Sequence, residues 1–328
     1  MLDLFTFIGD PHITPKSLDK GEVLFNTVEN LGRHCVWLGD LLDTKEVIRG
    51  KCLNAFYDYF SRSKLQHIII VGNHDWFNLE CKDHSLKALA ALPNVTIIDT
   101  VRSHPTLPFV FFPYIHDKAK LKEELNAIEN PQDKIIVGHF EVSGFDFGNG
   151  HLCEDGIITH DDFKQFKRVI SGHFHKLQQT GNFTYLGTPF SHSFGEANQD
   201  KVLGTYCLSD DTLTLTPTSF PRHLSIKIDL SKKGAEKKLQ EFLAGNESNI
   251  NRVQLYGTTE DVIKFDKSKY PEVTKWEDKS ETKIDAKTNL DESLDNKTQF
   301  QEWGKNIKQL DKDTIKLGLE ILEAVGAK

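Results

Sequence analysis

The stretch Val71-Gly72-Asn73-His74-Asp75 decides the fold assignment, because a short apolar run ends there in three adjacent polar residues. The run before Gly72, Ile-Ile-Ile-Val at 68–71, is β-branched and typical of a buried strand. Side chains able to bind a metal or move a proton follow the strand at once. Open α/β folds hold their sites at the carboxyl ends of strands, so this stretch predicts a site at a sheet edge.

The same arrangement recurs at four other predicted strand ends. The apolar runs 4–8, 36–38, 135–137 and 169–170 are followed by Asp10-Pro11-His12, Asp40 to Asp43, His139 and His173-Phe174-His175. A single motif of this kind is weak, since a lone buried histidine is usually structural and Asp10 alone could cap a helix. Five of them in this order predict one metal cluster assembled along a whole domain.

Seven side chains are the predicted metal ligands: Asp10, His12, Asp40, Asn73, His139, His173 and His175. Carboxylate, imidazole and amide ligands without cysteine favour Mn²⁺, with Mg²⁺, Fe²⁺ or Zn²⁺ as other candidates. Seven ligands exceed what one ion needs, so we expect two ions with Asp40 as the bridging carboxylate. Such a pair of ions lowers the pKa of a bridging water and holds both oxygens of an in-line phosphoryl displacement.

His74 and Asp75 are the predicted catalytic residues. His74 is adjacent to Asn73 and is placed to stabilise the phosphorane or protonate the leaving oxygen. We expect Asp75 to orient the His74 ring. Asp43 either orients a ligand or caps the helix that follows it. The remaining histidines are expected at the surface or in packing: His34, His67, His84, His104, His116, His151, His160, His192 and His223.

Composition indicates a globular protein with one large domain and a smaller one. The chain has 328 residues, 38% of them hydrophobic, and a mean hydropathy of −0.42. We expect no membrane segment and no signal peptide. The five cysteines form no CxxC pair, which argues against a disulfide framework or thiolate zinc and favours the cytoplasm. A net charge of −8 argues against gripping nucleic acid by bulk positive charge, although bound cations or a partner subunit can supply that charge.

The order of predicted elements favours an α/β fold. Residues 1–220 alternate strand and helix and then finish in consecutive strands, which predicts two packed sheets with helices outside. Residues 221–263 form a small β-α-β unit, and residues 264–296 are a charged, weakly ordered linker. Residues 297–328 carry an amphipathic helical pair, in which Asp311 or Asp313 can cap the second helix. That pair either docks a partner or folds back on the main body.

The motifs D-x-H, G-D-x-x-D, G-N-H-D, G-H and G-H-x-H, in this order over residues 1–220, resemble the calcineurin-like metallophosphoesterases. The variants Gly-Asp-Leu-Leu-Asp and Gly-His-Phe-His, followed by Tyr185-Leu186-Gly187-Thr188-Pro189, are similar to the SbcD-type nuclease subunits of DNA double-strand-break repair. The compact length and the segment Gly-His-Phe-Glu-Val-Ser-Gly-Phe resemble the phage-encoded branch.

The resemblance implies a four-layer α/β/β/α sandwich, a small α+β capping domain and a C-terminal helical segment that binds an SbcC-like ATPase. It implies a Mn²⁺-dependent 3′ to 5′ exonuclease on double-stranded DNA that is also a single-strand endonuclease, acting in repair, recombination and replication. Homodimers would form through helices at Lys51–Phe60 and Ser85–Leu92, in the host cytoplasm for a phage protein. One ion would be held by Asp10, His12, Asp40 and His175, and the other by Asp40, Asn73, His139 and His173, with His74 catalytic.

Two alternatives stay open for the activity. The same metal site could serve a phosphodiesterase or phosphatase for small nucleotides, or the chain could be mainly a scaffold that recruits a repair ATPase through residues 297–325. Phe145 and Phe147 either stack a nucleotide base or pack against the second sheet.

Overall fold

The computed structural model describes residues 3–43, 45, 47–148, 150–280, 295–307 and 310–324. The strands are β1 Leu4–Ile8, β2 His34–Trp37, β3 His67–Ile70, β4 Val95–Ile98, β5 Arg102–Ser103, β6 Phe109–Phe112, β7 Ile135–His139, β8 Arg168–Gly172, β9 Gln178–Thr180, β10 Phe183–Tyr185, β11 Val202–Cys207, β12 Thr212–Pro217, β13 His223–Asp229, β14 Ile250–Tyr256 and β15 Val273–Asp278. The α-helices are α1 Leu18–Leu31, α2 Gly50–Arg62, α3 Lys118–Asn126, α4 Ala235–Leu243, α5 Thr259–Lys264, α6 Asn296–Glu302 and α7 Lys312–Ala324.

The strands form two six-stranded sheets and one three-stranded sheet. The first sheet has the order β12-β11-β1-β2-β3-β4, in which β1 to β4 are parallel and β11 and β12 run antiparallel. The second has the order β5-β6-β7-β8-β10-β9, parallel from β6 to β10 with antiparallel strands at both edges. Parallel strands put their carboxyl ends at one edge, which is where the polar motifs follow.

Three apolar clusters give the first domain its four layers, as the resemblance predicted. Helices α1 and α2 cover the outer face of the first sheet, where Phe25 stacks on Tyr59 with ring centroids 4.5 Å apart. The inner faces of the two sheets share a second cluster that joins Phe7 of β1 to Phe109 of β6. A third cluster lies on the outer face of the second sheet and includes α3. Both sheets are therefore covered on both faces, which explains why their central strands are almost wholly apolar.

Helix α1 shows how the local sequence sets an element. Leu24, Phe25 and Val28 recur at helical spacing and are buried. Gly32 ends the helix in the left-handed conformation, with φ of 64°, and its N–H donates to the carbonyl of Glu29. Helix α2 begins at Gly50, so Asp43 does not cap it and that alternative was wrong.

Two predicted elements differ from the structure. The helix predicted at Ser85–Leu92 is a short 3-10 helix, Lys87–Ala91. Residues 267–278, assigned to the linker, carry a 3-10 turn and β15, which completes the small sheet in the order β13-β14-β15. The dense charge of β15 hid its strand character. Residues 281–294 of the predicted linker lie outside the described part of the chain.

The chain divides into two compact units. The first comprises residues 1–226, 241–253 and 272–275, and the second comprises residues 227–240, 254–271 and 276–328. In the second unit, α6 continues into a π-helical turn at Trp303–Ile307 and is followed by α7. Asp311 caps α7 by accepting hydrogen bonds from the N–H groups of Asp313 and Thr314. Within the described residues, no helix is long and apolar enough to cross a membrane.

Candidate metal centre

The seven predicted ligands come together where β1, β2, β3, β7 and β8 end. Asp10, His12, Asp40 and Asn73 follow strands of the first sheet, whereas His139, His173 and His175 belong to the second. Ligands of one ion at about 2.1 Å from it lie about 3.0–3.4 Å from each other, so close approaches between donor atoms identify a shared site.

One group of donors consists of Asp10, His12 and His175. The Nε2 atoms of His12 and His175 are 3.1 Å apart, and one donor atom from each of the three residues lies within 4.8 Å of the others. We call this group half-site A.

A second group consists of Asn73, His139 and His173. The Oδ1 atom of Asn73 lies 2.8 Å from Nε2 of His139 and 2.9 Å from Nδ1 of His173, and those two nitrogens are 3.2 Å apart. We call this group half-site B.

Asp40 lies between the two half-sites. Its Oδ2 atom is 3.4 Å from Nε2 of His12 and 3.5 Å from Nε2 of His139. Because one carboxylate oxygen is equally near a ligand of each half-site, Asp40 has the position required of a bridging ligand.

Asp10 and Asp40, the buried carboxylates among the predicted ligands, each have one oxygen that accepts a backbone N–H. Oδ2 of Asp10 accepts the N–H of His173 at 2.7 Å, and Oδ1 of Asp40 accepts the N–H of His74 at 2.7 Å. The remaining Oδ1 of Asp10 is buried and has no hydrogen-bond partner among the described residues. An unpartnered buried carboxylate oxygen on a residue grouped with imidazoles and a second carboxylate fits a bound cation, so this donor set fits a dinuclear divalent metal centre.

Hydrogen bonds at the outer nitrogens orient two of the ligand imidazoles. Nδ1 of His139 donates to the carbonyl of Leu38 at 2.8 Å, and Nδ1 of His175 donates to Oε1 of Glu196 at 2.8 Å. In both rings Nε2 is then left without a proton and faces the cluster, as a metal ligand must.

Burial shifts the protonation of the cluster toward neutral forms. Desolvation, followed by the charge of Asp40, raises the pKa of Asp10, and desolvation lowers the pKa values of His12, His139 and His173. Neutral imidazoles are the form that binds metals, and a dication reverses the penalty on the carboxylates.

The backbone at the site is constrained as well as the side chains. His12, Asp40 and His173 have φ values of 39°, 49° and 96°, in the region that favours glycine. Strained residues of this kind cluster at functional sites, where the surrounding structure holds them. At Gly172 a Cβ atom would lie 2.4 Å from Oδ1 of Asp10, so only glycine permits the observed approach.

His74 lies at the edge of the cluster, and its orientation differs from our prediction. Its Nδ1 donates to the main-chain carbonyl of Asp43 at 2.7 Å, while the Asp75 carboxylate accepts the N–H of Gly72 at 3.0 Å. The prediction that Asp75 orients the His74 ring was therefore wrong. The buried Asp75 carboxylate instead accepts a hydrogen bond from the backbone of the turn that begins at Gly72. The Asp43 carboxylate lies 3.8 Å from Nδ1 of His12.

Three residues of the site were missed from sequence. Glu196 and Lys201 form a buried pair behind His175. The ring of His192, expected at the surface or in packing, lies 5.7 Å from that of His12, and burial lowers its pKa to about 4. All three lie in the segment between Thr188-Pro189 and β11, and no sequence pattern marks them.

The two loop phenylalanines have different surroundings. Phe145 is 5% exposed and packs edge-on against Tyr185 on the second sheet. Phe147 is 46% exposed and lies edge-on against Phe174, the residue between two ligand histidines. The packing alternative is therefore correct for Phe145, and Phe147 remains available at the rim of the site.

The fold and this donor set define a candidate dinuclear metal centre at the shared edge of two sheets. The family model for calcineurin-like phosphoesterase matches residues 4–177, and the chain belongs to that family. Members of this family use a dinuclear metal site, and membership indicates that the chain is a hydrolase.

Two viral proteins are similar to the chain. Putative phosphoesterase 078R of Invertebrate iridescent virus 3 is 30% identical over 60% of this chain, which spans 60% of that relative's length. Exonuclease subunit 1 of Enterobacteria phage T4 is 24% identical over 78% of this chain and 81% of its own length. Among solved structures, an archaeal phosphodiesterase is 14% identical, covering 65% of this chain and 99% of its own, with a TM-score of 0.36.

Proposed function

We propose that this chain is the Mn²⁺-dependent nuclease subunit of an SbcCD-like complex in the host cytoplasm. It would shorten double-stranded DNA from 3′ ends and cut single strands, in repair, recombination and replication. The observation that carries the proposal is the pair of half-sites with Asp40 between them, in a chain similar along most of its length to a phage exonuclease subunit. Two divalent ions supply, when bound, Lewis acidity for the phosphoryl group and a lowered pKa for an attacking water.

The chain's own residues bind the ions and move the proton. Asp10, His12 and His175 would hold one ion, Asn73, His139 and His173 would hold the other, and Asp40 would contribute to both. The N–H of His74 donates to Asp40 and its Nδ1–H donates to Asp43, so the ring is fixed beside the bridging carboxylate. Nε2 of His74 then gives its proton to the departing sugar oxygen.

A cleavage assay tests the proposal. End-labelled double-stranded DNA and a small chromogenic phosphodiester are incubated with Mn²⁺ and the wild type, His74→Ala or His34→Ala. His34 begins β2, at the end of the strand away from the site, so its variant is the matched control. We expect stepwise DNA shortening that falls by about 100-fold or more in His74→Ala, the range for losing a general acid, and stays unchanged in the control.

Other outcomes favour the alternatives. Hydrolysis of the small ester with intact DNA, also in the presence of the ATPase subunit, would support a small-nucleotide phosphodiesterase. Binding of the ATPase without any hydrolysis would support a scaffold.

The C-terminal helices support a protein partner, which we propose is the SbcC-like ATPase. Ile315 is buried, whereas Leu317 and Ile321, one turn apart on α7, are exposed. An exposed apolar stripe on an amphipathic helix is typical of a docking surface for another helix. Leu317→Asp should abolish co-purification with the ATPase, and exposed Lys316→Ala on the same helix should not.

Of the two helices predicted to join a homodimer, only α2 is an α-helix, because Ser85–Leu92 contains a short 3-10 helix instead. Helix α2 keeps one exposed aromatic side chain, Tyr57. Light scattering on the wild type and on Tyr57→Glu tests whether α2 joins two copies, and an unchanged dimer mass in the variant would rule out this face.

A further inference from the structure

A buried ion pair lies directly behind half-site A. Lys201 is 2% exposed and Glu196 is 8% exposed, and Nζ of Lys201 lies 2.7 Å from Oε2 of Glu196. The ammonium also donates to Oγ1 of Thr188 at 2.6 Å and to the carbonyl of His175 at 3.0 Å. Every polar group that surrounds the lysine in these contacts is an acceptor, so the charge is satisfied in place.

Glu196 uses its two oxygens for different purposes. Oε2 accepts from Lys201 and from the N–H of His192 at 3.2 Å, which fixes the carboxylate. Oε1 accepts Nδ1–H of His175 at 2.8 Å. The carboxylate therefore sets both the tautomer and the plane of the His175 ring, whose Nε2 faces His12.

The corresponding acceptor in half-site B is a neutral one. His139 donates its Nδ1–H to the carbonyl of Leu38. A carboxylate acceptor makes an imidazole a more basic ligand than a carbonyl acceptor does, and its charge also favours a nearby cation. The two half-sites thus differ in the group that orients a ligand histidine, which is a carboxylate in half-site A and a main-chain carbonyl in half-site B.

A buried ion pair is weak evidence for a purely stabilising role, because apolar residues of similar volume often serve stability equally well. The contact from Glu196 to a ligand gives this pair a specific task. We propose that Glu196, held by Lys201, is a positioning residue that raises the metal affinity of half-site A and leaves half-site B nearly unchanged. The inference rests on the dinuclear centre of the proposed function, and it does not depend on DNA as the substrate.

The test is a Mn²⁺ titration of the full chain by calorimetry and by electron paramagnetic resonance at fixed pH. The variant is the double substitution Glu196→Gln with Lys201→Met, since Glu196→Gln alone would leave a buried ammonium unpaired. We expect one of the two binding phases to weaken by about 10- to 100-fold, the range for losing an outer partner of a ligand, and the other to stay within about threefold.

Two comparison variants assign the phases. His175→Ala removes a ligand of half-site A and should weaken the same phase as the double variant. Glu141→Gln is the matched control. The Glu141 carboxylate also pairs with a lysine, Lys118, at 2.8 Å, but His175 donates to Glu196 and not to Glu141. This control should leave both phases as in the wild type.

Binding curves of the double variant that superimpose on the wild type would overturn the inference. So would an equal weakening of both phases together with a lower unfolding temperature, which would indicate a structural role alone. A wild type that binds fewer than two ions would also overturn it. If two ions bind with the expected selective loss but DNA is not cleaved, the proposed function fails and the positioning role stands.

Discussion

We predict that acid destabilises this protein by protonating a buried histidine, His67, that does not belong to the candidate metal centre. His67 begins β3, is 1% exposed and lies within the core of the first sheet. Its Nδ1 accepts the indole N–H of Trp37 at 3.3 Å, and its Nε2 donates to Oγ of Ser63 at 2.8 Å, which in turn donates to Glu29. The directions of these bonds require a neutral ring, because a protonated Nδ1 cannot accept from Trp37.

The magnitude follows from the shift in protonation. Burial lowers the pKa of His67 from 6.5 to about 4, opposed by the charge of Glu29. Because the folded-state pKa is lowered, the unfolded chain binds more protons below pH 6.5. Stability is therefore complete above that pH and is lost as pH falls toward 4. The loss reaches about 3 kcal/mol below pH 4, and it is about 2.5 kcal/mol between pH 7 and 4.5.

Urea unfolding of His67→Gln at pH 7 and at pH 4.5 measures this loss. At pH 7 the variant should be less stable than the wild type by about 1–3 kcal/mol, because the Trp37 indole loses its acceptor. Between the two pH values its unfolding free energy should fall by about 2.5 kcal/mol less than that of the wild type. Exposed His151→Gln should follow the wild type. If His67→Gln and the wild type lose equal stability between pH 7 and 4.5, the reasoning is refuted.

Three further predictions concern the site and its surroundings. Without metal, Asp40→Asn should unfold at a higher temperature than the wild type, because the Asp40 charge, added to burial, raises the pKa of Asp10 and so disfavours its charged form. In thermal melts with added Mn²⁺, the wild type should be the more stable of the two. Gly172→Ala should lose about 1–3 kcal/mol in urea unfolding and bind Mn²⁺ more weakly, since its Cβ would contact Asp10. Phe145→Ala should cost about 3–5 kcal/mol, whereas Phe147→Ala should cost less than about 0.5 kcal/mol and slow DNA cleavage while sparing a small ester.

The convergence of the predicted ligands could be foreseen because it depends on a simple rule of architecture. Parallel strands bring their carboxyl ends to one edge, so polar residues that follow apolar runs must meet there. Asp10, Asn73 and His173 obey that rule although they are far apart in sequence. The four layers follow from the same apolar runs, since strands without a polar face need cover on both sides.

The supporting residues could not be predicted because no periodicity marks them. The orientation of His74 depends on a main-chain carbonyl, that of Asp43, and every residue has one. Glu196 ends a three-residue 3-10 helix, Phe194–Glu196, and Lys201 directly precedes β11, so their meeting with His175 is a result of tertiary folding alone. Likewise β15 is a strand because β14 pairs with it, not because its own sequence alternates.

The spacing between the half-sites is a property of sheet packing more than of the motifs. Half-site A takes Asp10 and His12 from the first sheet and His175 from the second, and half-site B also draws on both sheets. Phe7 and Phe109 belong to the apolar layer that separates the sheets and so fixes how far apart those ligands lie. Close-packed interiors transmit a change of even one methylene, so a substitution in this layer would alter the distance between the half-sites without changing any of the predicted ligands. The motifs therefore specify which donors the centre contains, and the core between the sheets specifies whether one carboxylate, Asp40, can reach both halves.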